Sequence, residues 1–541
     1  MKNFKFKINF LVVAITTILV GCEDFYVEPK YEPEIPWQTV SQFEMGVAAC
    51  YTTFNSSWSE VDGVYGVYET LATDLGTLIP GQTGNLPWNE FYNRLHREVP
   101  LEAVSLGWVK GTYSSIYKTI AAGSLALSYL ESNDLTKLFP FDSKTVIDTE
   151  IPRAKSELLF WRGFSYYYGA LFFCPPYDPA GTNADRILPL KTTFSDPQNS
   201  YIATTKEIWN QAISDLQNAK KLMPIAWYKN GRINYYTICG ALARAYMYTG
   251  DYANAQKECD EIINSGKYSL QTNVMAAWNT IPGGPVPSET LWHFNTNSAG
   301  NNRANVTAIS RAWANGKNGS RGANYEICPW VLPVMSNAMI KQAGWMNDPE
   351  KGDYTLTNNA KADKRLGNTW FHLLGYKPQA ETGIADKVVY MNTYESILKQ
   401  LVNPHIYLDK YYRSATNSST VVPLMRLPEF YLIRAAIKLK NNDKAGAAAD
   451  LKVVRDRAGL PEITAANITA LAIDTEFAVE LGGEGCYLSY LIGMRRPILP
   501  GDRAGVQPVN PPYKGWFWRI PIDEVRLNAG YKDIPDPNQL K

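Results

Sequence analysis

Hydrophobic positions recur at helical spacing along most of the chain. Between Thr205 and Pro224, Ile208, Ala212, Leu216 and Ala219 fall on one face, with a threonine cap before them and a proline after. From Ser156 to Phe173 the pattern is apolar almost all round, which predicts a helix buried on every side. It should end at Cys174-Pro175-Pro176, where a helix cannot continue. From Thr237 to Tyr268, Leu242, Ala243, Tyr246, Gly250, Tyr252 and Ala255 take the spacing of a tetratricopeptide repeat. Small Ala243 and Ala255 let two antiparallel helices approach, Gly250-Asp251 makes the turn, and Tyr246 and Tyr252 fill the wedge. A second such unit runs from Leu427 to Leu460, with Asn442-Asp443 at its turn.

The start of the chain has a different texture. Lys2, Lys5 and Lys7 precede an uncharged, largely apolar run, Ile8 to Gly21. A basic start, a short apolar run and a small residue before a cut site predict a secretory signal over 1–21. The run is shorter than the roughly 18 residues a spanning helix needs. Leu19-Val20-Gly21-Cys22 resembles a bacterial lipobox. Cys22 is therefore expected to carry lipid, with 22–40 as a tether that includes the proline-bounded linker Pro33 to Pro36. The mature chain, 41–541 beyond the tether, would be anchored and not spanning.

Between the helical units, around 205–270 and 427–460, the pattern breaks down over about 275–425. Met275 to Met346 is rich in Gly, Asn and Ser, yet Trp292, Trp313, Tyr325, Trp330 and Trp345 punctuate it. Disordered segments avoid aromatics, so an ordered, irregular and functional insertion is expected. Pro80 to Arg94 is a smaller version. Trp292 lies in an alternating stretch and should be structural. Trp88, Tyr92, Trp313, Tyr325, Trp330 and Trp345 are the candidate ligand-binding aromatics, with Asn89, Arg303 and Arg321 as polar partners.

Composition narrows the chemistry. The 53 basic and 52 acidic residues leave a net charge of +1, which argues against nucleic acid. No Cys-x-x-Cys pair, phosphate-binding loop, dinucleotide fingerprint or nucleophile elbow occurs, and no cofactor is expected. His96, His293, His372 and His405 form no metal-type pair. The oxygen-rich run Asp348, Glu350 and Asp353 lacks the spacing of a calcium loop, and no metal is expected. Cys239 and Cys259 are the best candidates for a bridge, with two buried thiols the expected state. No catalytic residues are expected; an α-helical glycosidase using two carboxylates is the second class considered. Binding suits the loops better. An aromatic ring covers the C–H face of a sugar, and Asn or Arg bonds its hydroxyl rim.

The lipobox, the segment Leu71 to Gly76, the Ser156 helix with its proline turn, the Thr237 repeat, Arg426 to Ala436 leading into Val453 to Pro461, and Trp516 to Tyr531 occur in an order that resembles the SusD/RagB family of outer-membrane lipoproteins. Two departures stand out. Glu480-Leu481-Gly482-Gly483-Glu484-Gly485 lacks the Arg and Asp that follow it in the family, so that ion pair should be missing. The family's Ala-Glu-Ala becomes Ala435-Ala436-Ile437. The resemblance implies an all-α scaffold of tetratricopeptide-like pairs with a loop-rich binding face. It also implies oligosaccharide capture outside the outer membrane and delivery to a SusC-like TonB-dependent transporter. A peptide-binding role, as in the RagB branch, is the alternative.

Overall fold

The computed structural model describes residues 37–54, 61–78, 91–92, 106–131, 134–194, 201–277, 285–295, 333–366, 370–374, 388–389, 404–408, 410 and 421–539. Its main elements in chain order begin with α1 (Val40–Phe54), α2 (Val61–Ala72), β1 (Gly76–Leu78), α3 (Leu106–Glu131) and α4 (Lys144–Phe173). The helical pairs follow as α5 (Thr205–Leu222), α6 (Tyr235–Thr249) and α7 (Tyr252–Asn264). The middle of the chain holds β2 (Thr290–Asn295), β3 (Pro333–Met335), α8 (Asn337–Gln342), β4 (Phe371–Leu374), β5 (Val388–Val389), β6 (His405–Leu408) and β7 (Val421–Arg426). The last part returns to helix, with α9 (Leu427–Lys440), α10 (Lys444–Ala458), α11 (Ala470–Leu481) and α12 (Tyr487–Gly493). The architecture is all-α, with short strands stitching the irregular middle to the helices.

The α4 helix is the central post. Ser143 caps its start by accepting from Val146 N, and every residue from Ser156 to Phe173 is buried. The helix begins well before Ser156 and runs through Pro152. Its neighbours α1, α3 and α5 cover it on separate sides, which is why an amphipathic stripe is absent. Gly163 lets α5 come close: a Cβ there would meet the Ala212 carbonyl oxygen at 2.8 Å. The α5 start carries a full capping box between Thr204 and Glu207, and Ile208, Ala212, Leu216 and Ala219 are all buried.

The α6–α7 and α9–α10 hairpins have the predicted form. Gly250 closes α6 at φ +86°, a left-handed conformation in which its N–H bonds back to the last turn. A Cβ at Gly250 would also sit 2.6 Å from Pro179 Cγ. Asn442, at φ 64°, does the same for the second hairpin, and Asp443 then caps α10. Tyr246 is buried and its hydroxyl accepts from Gln217 Nε2 at 2.7 Å.

Buried bidentate pairs cross the helical seams. Arg162 grips Asp215 between α4 and α5 at 2.7 Å through both nitrogens. Arg244 of α6 grips Glu429 of α9 at 2.6 and 2.7 Å, joining the two hairpins. Arg434 grips Asp450 within the second hairpin at 2.9 and 2.6 Å. A bidentate guanidinium–carboxylate pair is planar and directional, so each constrains register as well as distance.

Trp292 lies in β2, opposite Met425 of β7, and is fully buried. Its ring meets Phe160, Trp161 and Phe164 at 5.6–5.7 Å. It is a scaffold residue, as its alternating context predicts. Near the C-terminus, Trp518 returns to the core beside Phe172, Tyr68 and Phe91.

Candidate functional site

β1 and β3 pair antiparallel, Gly76 with Met335, Thr77 with Val334 and Leu78 with Pro333. The pairing has a consequence for the loops. The segment carrying Trp88 and Asn89 begins directly after Leu78. The segment carrying Arg303, Trp313, Arg321, Tyr325 and Trp330 ends directly before Pro333. The two aromatic-bearing segments therefore join the scaffold side by side. At its other end the longer segment leaves β2 at Asn295, which pairs with Val421 of β7. β6 packs on β3 at the same place and pairs with β4.

Of the residues singled out in the sequence, Cys22, Trp88, Asn89, Arg303, Trp313, Arg321, Tyr325 and Trp330 lie outside the described residues. Tyr92 and Trp345 lie within them.

Tyr92 is half-buried beside the β1–β3 pair. Its hydroxyl accepts from Thr77 Oγ1 at 2.9 Å. The Arg503 guanidinium stands 4.0 Å from its ring centroid, and Arg503 Nε donates to the Tyr92 carbonyl at 2.8 Å. One ring face is thus held by a cation of the scaffold. Arg503 also donates to the carbonyls of Leu71, Thr73 and Pro500. Burial pulls its pKa down to about 10. The neighbouring Asp502 accepts from Asn337 N and Ala338 N at 2.9 and 3.0 Å, fastening α8 just after β3. The Asp502-Arg503 loop therefore fastens both sides of the strand pair from more than 150 residues away. Nothing in its local sequence signals that role.

Trp345 does not line a binding face. It is fully buried, its indole N–H donates to Asp363 Oδ2 at 3.0 Å, and its ring packs edge-on against Phe371 at 5.0 Å. The Gly344 turn tucks it under the chain, with the Trp345 N–H bonded to the Ile340 carbonyl at 3.1 Å. With both its ring and its N–H committed to the core, it has no surface to offer a ligand.

Asp363 leads into a buried ionic network that the sequence did not reveal. Arg365 donates to Asp363, to Glu476 at 2.6 Å and to Glu480 at 3.1 Å. Arg426 donates to Glu289 at 2.6 Å, to Glu484 at 2.6 Å and to Glu480 at 3.2 Å. Arg457 bridges Glu289 and Glu480, and Lys410 Nζ donates to Glu484 at 2.7 Å. Lys410, Arg426 and Arg457 surround the Trp370 ring at 4.9–5.3 Å. Burial alone would raise the Glu480 pKa, but Arg457, Arg426, Arg365 and Lys410 hold it at about 2. The Arg and Asp that would follow the Glu480–Gly485 motif are absent, and its two glutamates are paired instead with cations drawn from distant segments. The network ties the end of β7 and the turn at 363–366 to α10 and α11, so it braces the irregular middle against the helices.

In the run from Asp348 to Asp353, lysines close Asp348 and Glu350, and Asp353 accepts from Asn347 Nδ2 and Thr355 N. Lys341 Nζ lies 2.8 Å from Asp348 and 2.9 Å from Glu350, and Lys351 lies 3.0 Å from Asp348. Among the described residues no cluster of His, Cys, Asp or Glu is disposed to hold a metal ion. Cys239 and Cys259 are free and buried, and burial pushes both thiols up. No described helix is long and apolar enough to cross a membrane.

Comparison with known proteins meets this architecture. Residues 81–247 match the SusD-like family described as starch-binding and associating with the outer membrane. Residues 247–489 match the SusD family. A SusD-like protein, P2, of Formosa agariphila is 24% identical over 271 residues, 48% of this chain and 46% of that protein; the match spans less than half of that relative. A SusD superfamily crystal structure from Bacteroides thetaiotaomicron superposes with a TM-score of 0.68 at 19% identity, covering 91% of this chain and 98% of that one. A SusD-like carbohydrate binding protein of Bacteroides vulgatus gives a TM-score of 0.59 at 16% identity, covering 84% of each chain. With both family matches running end to end from 81 to 489 on a scaffold of this shape, the chain belongs to the SusD/RagB family.

Proposed function

We propose that this protein is a cell-surface lipoprotein that binds oligosaccharides without altering them. It passes them to a SusC-like TonB-dependent transporter in the outer membrane. The observation that carries the reading is the match of residues 81–247 to the starch-binding, outer-membrane-associated SusD-like family. The strand pairing supports it, because it starts two aromatic- and Asn-rich segments from one place. Trp88, Trp313, Tyr325 and Trp330 supply rings for sugar C–H faces there, and Asn89, Arg303 and Arg321 supply hydroxyl partners. Cys22 carries the lipid, and the chain faces the cell exterior.

Two assays test the reading. Labelled protein on a glycan array should retain a defined oligosaccharide, and long incubation with it should release no new reducing ends. New reducing ends abolished by replacing one carboxylate would make it a hydrolase, and retention of peptides but no sugars would place it with peptide capture. Cys22→Ala should release the protein from membranes or halt its maturation. Unchanged fractionation at unchanged mature mass would refute the anchor.

A further inference from the structure

Large apolar side chains stand exposed on the pieces of chain that border one cleft, near where the chain enters the scaffold. Phe141 is 74% exposed, Met45 62%, Tyr228 61% and Ile225 57%. They come from three separate pieces of chain. Phe141 sits at the apex of a turn closed by Asp142 N to the Phe139 carbonyl at 3.2 Å. Ile225 sits at the apex of another, closed by Trp227 N to the Pro224 carbonyl at 3.0 Å. Met45 projects from the first turns of α1, whose Val40 N–H donates to Asp142 Oδ2 at 2.6 Å. A cleft of about 330 Å³, lined by Val40, Glu44, Asp142, Val146, Trp227 and Lys229 among others, unites the three pieces.

The entry point of the chain is fixed at the same place. The Trp37 carbonyl accepts from Tyr129 OH at 2.5 Å, and the Trp37 ring packs on Phe43 and Tyr129 at 5.1 Å. Residues 22–36 precede it, and at about 3.3 Å each they reach at most about 50 Å. A surface this close to a lipid-bearing residue meets that lipid's membrane at high effective concentration.

Its charges are spent internally. Arg153 answers Glu44 and Glu150, a backbone N–H answers Asp142, and Lys144 answers Asp148. Lys229 is exposed on the same cleft as Asp142 and offsets its charge, so the patch is nearly neutral and its chemistry is apolar. Aliphatic and Phe tips with Tyr and Trp behind them suit the boundary between headgroups and acyl chains.

We propose that this surface is a membrane-contact face: Phe141 and Ile225 enter the interfacial zone of the bilayer, and Trp227 and Tyr228 sit at headgroup level. The proposal rests on the reading of Cys22 as the lipidated residue, and the test separates the two. The mature chain from residue 22, carrying Cys22→Ala, is floated with phosphatidylcholine–phosphatidylglycerol vesicles, alone and with Phe141→Ser and Ile225→Ser added. In parallel, hydrogen exchange over 139–142 and 224–228 is followed in the native mature protein with and without the same vesicles. The expected results are weak, salt-insensitive flotation seen only at excess lipid and lost on the dilution of cell fractionation, reduced about tenfold by the double substitution at unchanged Tm, and slowed exchange at both turns. Flotation unaffected by the double substitution overturns the proposal, as does absence of both flotation and protection. Protection that needs an added outer-membrane protein also overturns it, making the patch a protein interface. Mass spectrometry of the native protein reports acylation independently, so a missing lipid condemns only the anchor.

Discussion

Leu78 stands opposite Pro333, so the chain segments on the far side of each residue start from one short ladder. Trp88 follows the first by ten residues, and Trp313 and Tyr325 precede the second. If these segments build one site, their rings act on one ligand and their contributions are coupled. Trp88→Ala and Trp313→Ala, alone and together, should deviate from additivity in oligosaccharide affinity by about 0.5 kcal/mol or more. Titration of the full cycle measures this, and strict additivity would separate the two segments into independent sites.

Trp292 makes the contrasting case. It is buried among Phe160, Trp161 and Phe164, on the strand that leads into the long segment. Trp292→Ala should cost about 3–5 kcal/mol of stability, as removing a large core aromatic does. Chemical denaturation followed by far-UV dichroism gives the loss. A normal midpoint with weakened glycan binding would move Trp292 to the site.

The pair of Arg244 and Glu429 holds one hairpin to the other and is almost wholly dehydrated. Removing one partner strands the other charge. Arg244→Met should therefore cost about 3–5 kcal/mol, and the double change Arg244→Met with Glu429→Leu clearly less. Comparing the melting temperatures of the single and double variants decides it. Equal losses would mean that the pair contributes its packing alone.

Glu69 makes stability depend on pH. Burial pushes its pKa from the ordinary 4.5 up to about 8, against the opposing backbone N–H groups of Leu488 and Gly485. Between these values the folded chain holds a proton that the unfolded chain has released. Stability from this group therefore falls as pH rises from about 4.5 to about 8. Asp74, raised to about 7 mainly by burial, acts in the same sense. His405, held down at about 4 by burial, acts oppositely between that value and 6.5. Glu480, at about 2, loses its contribution only in stronger acid. Glu69→Gln isolates the first effect: its melting temperature should fall less between pH 5 and 8 than the parent's, within the roughly 4.5–8 window. Parallel curves would contradict the assignment.

The helical scaffold was legible wherever neighbours in sequence are neighbours in space. Ala243, Gly250 and Ala255 mark a close-packed hairpin, and Ile208 to Ala219 mark one helix face. The start of the central helix was not legible: the apolar run begins at Ser156, yet α4 passes through Pro152 from a start at Lys144. The ionic brace was illegible because its partners are far apart: Glu289 meets Arg426 and Arg365 meets Glu480 across more than a hundred residues. The same limit explains Trp345. A tryptophan in an irregular segment carries no local mark of which way it turns, and here Asp363 and Phe371 claim it. Tyr92 shows the converse, since its place beside β1 follows from Arg503, a residue no pattern singles out.

The central claim is capture of an oligosaccharide on the face that Trp313 and Tyr325 help to build. Calorimetric titration of parent, Trp313→Ala and Tyr325→Ala with the oligosaccharide retained on the array tests it most directly. The account predicts that each loss of a ring weakens binding by about 2 kcal/mol, with the melting temperature nearly unchanged. Binding by both variants indistinguishable from the parent would contradict it, and would leave the Trp88 segment as the place to look.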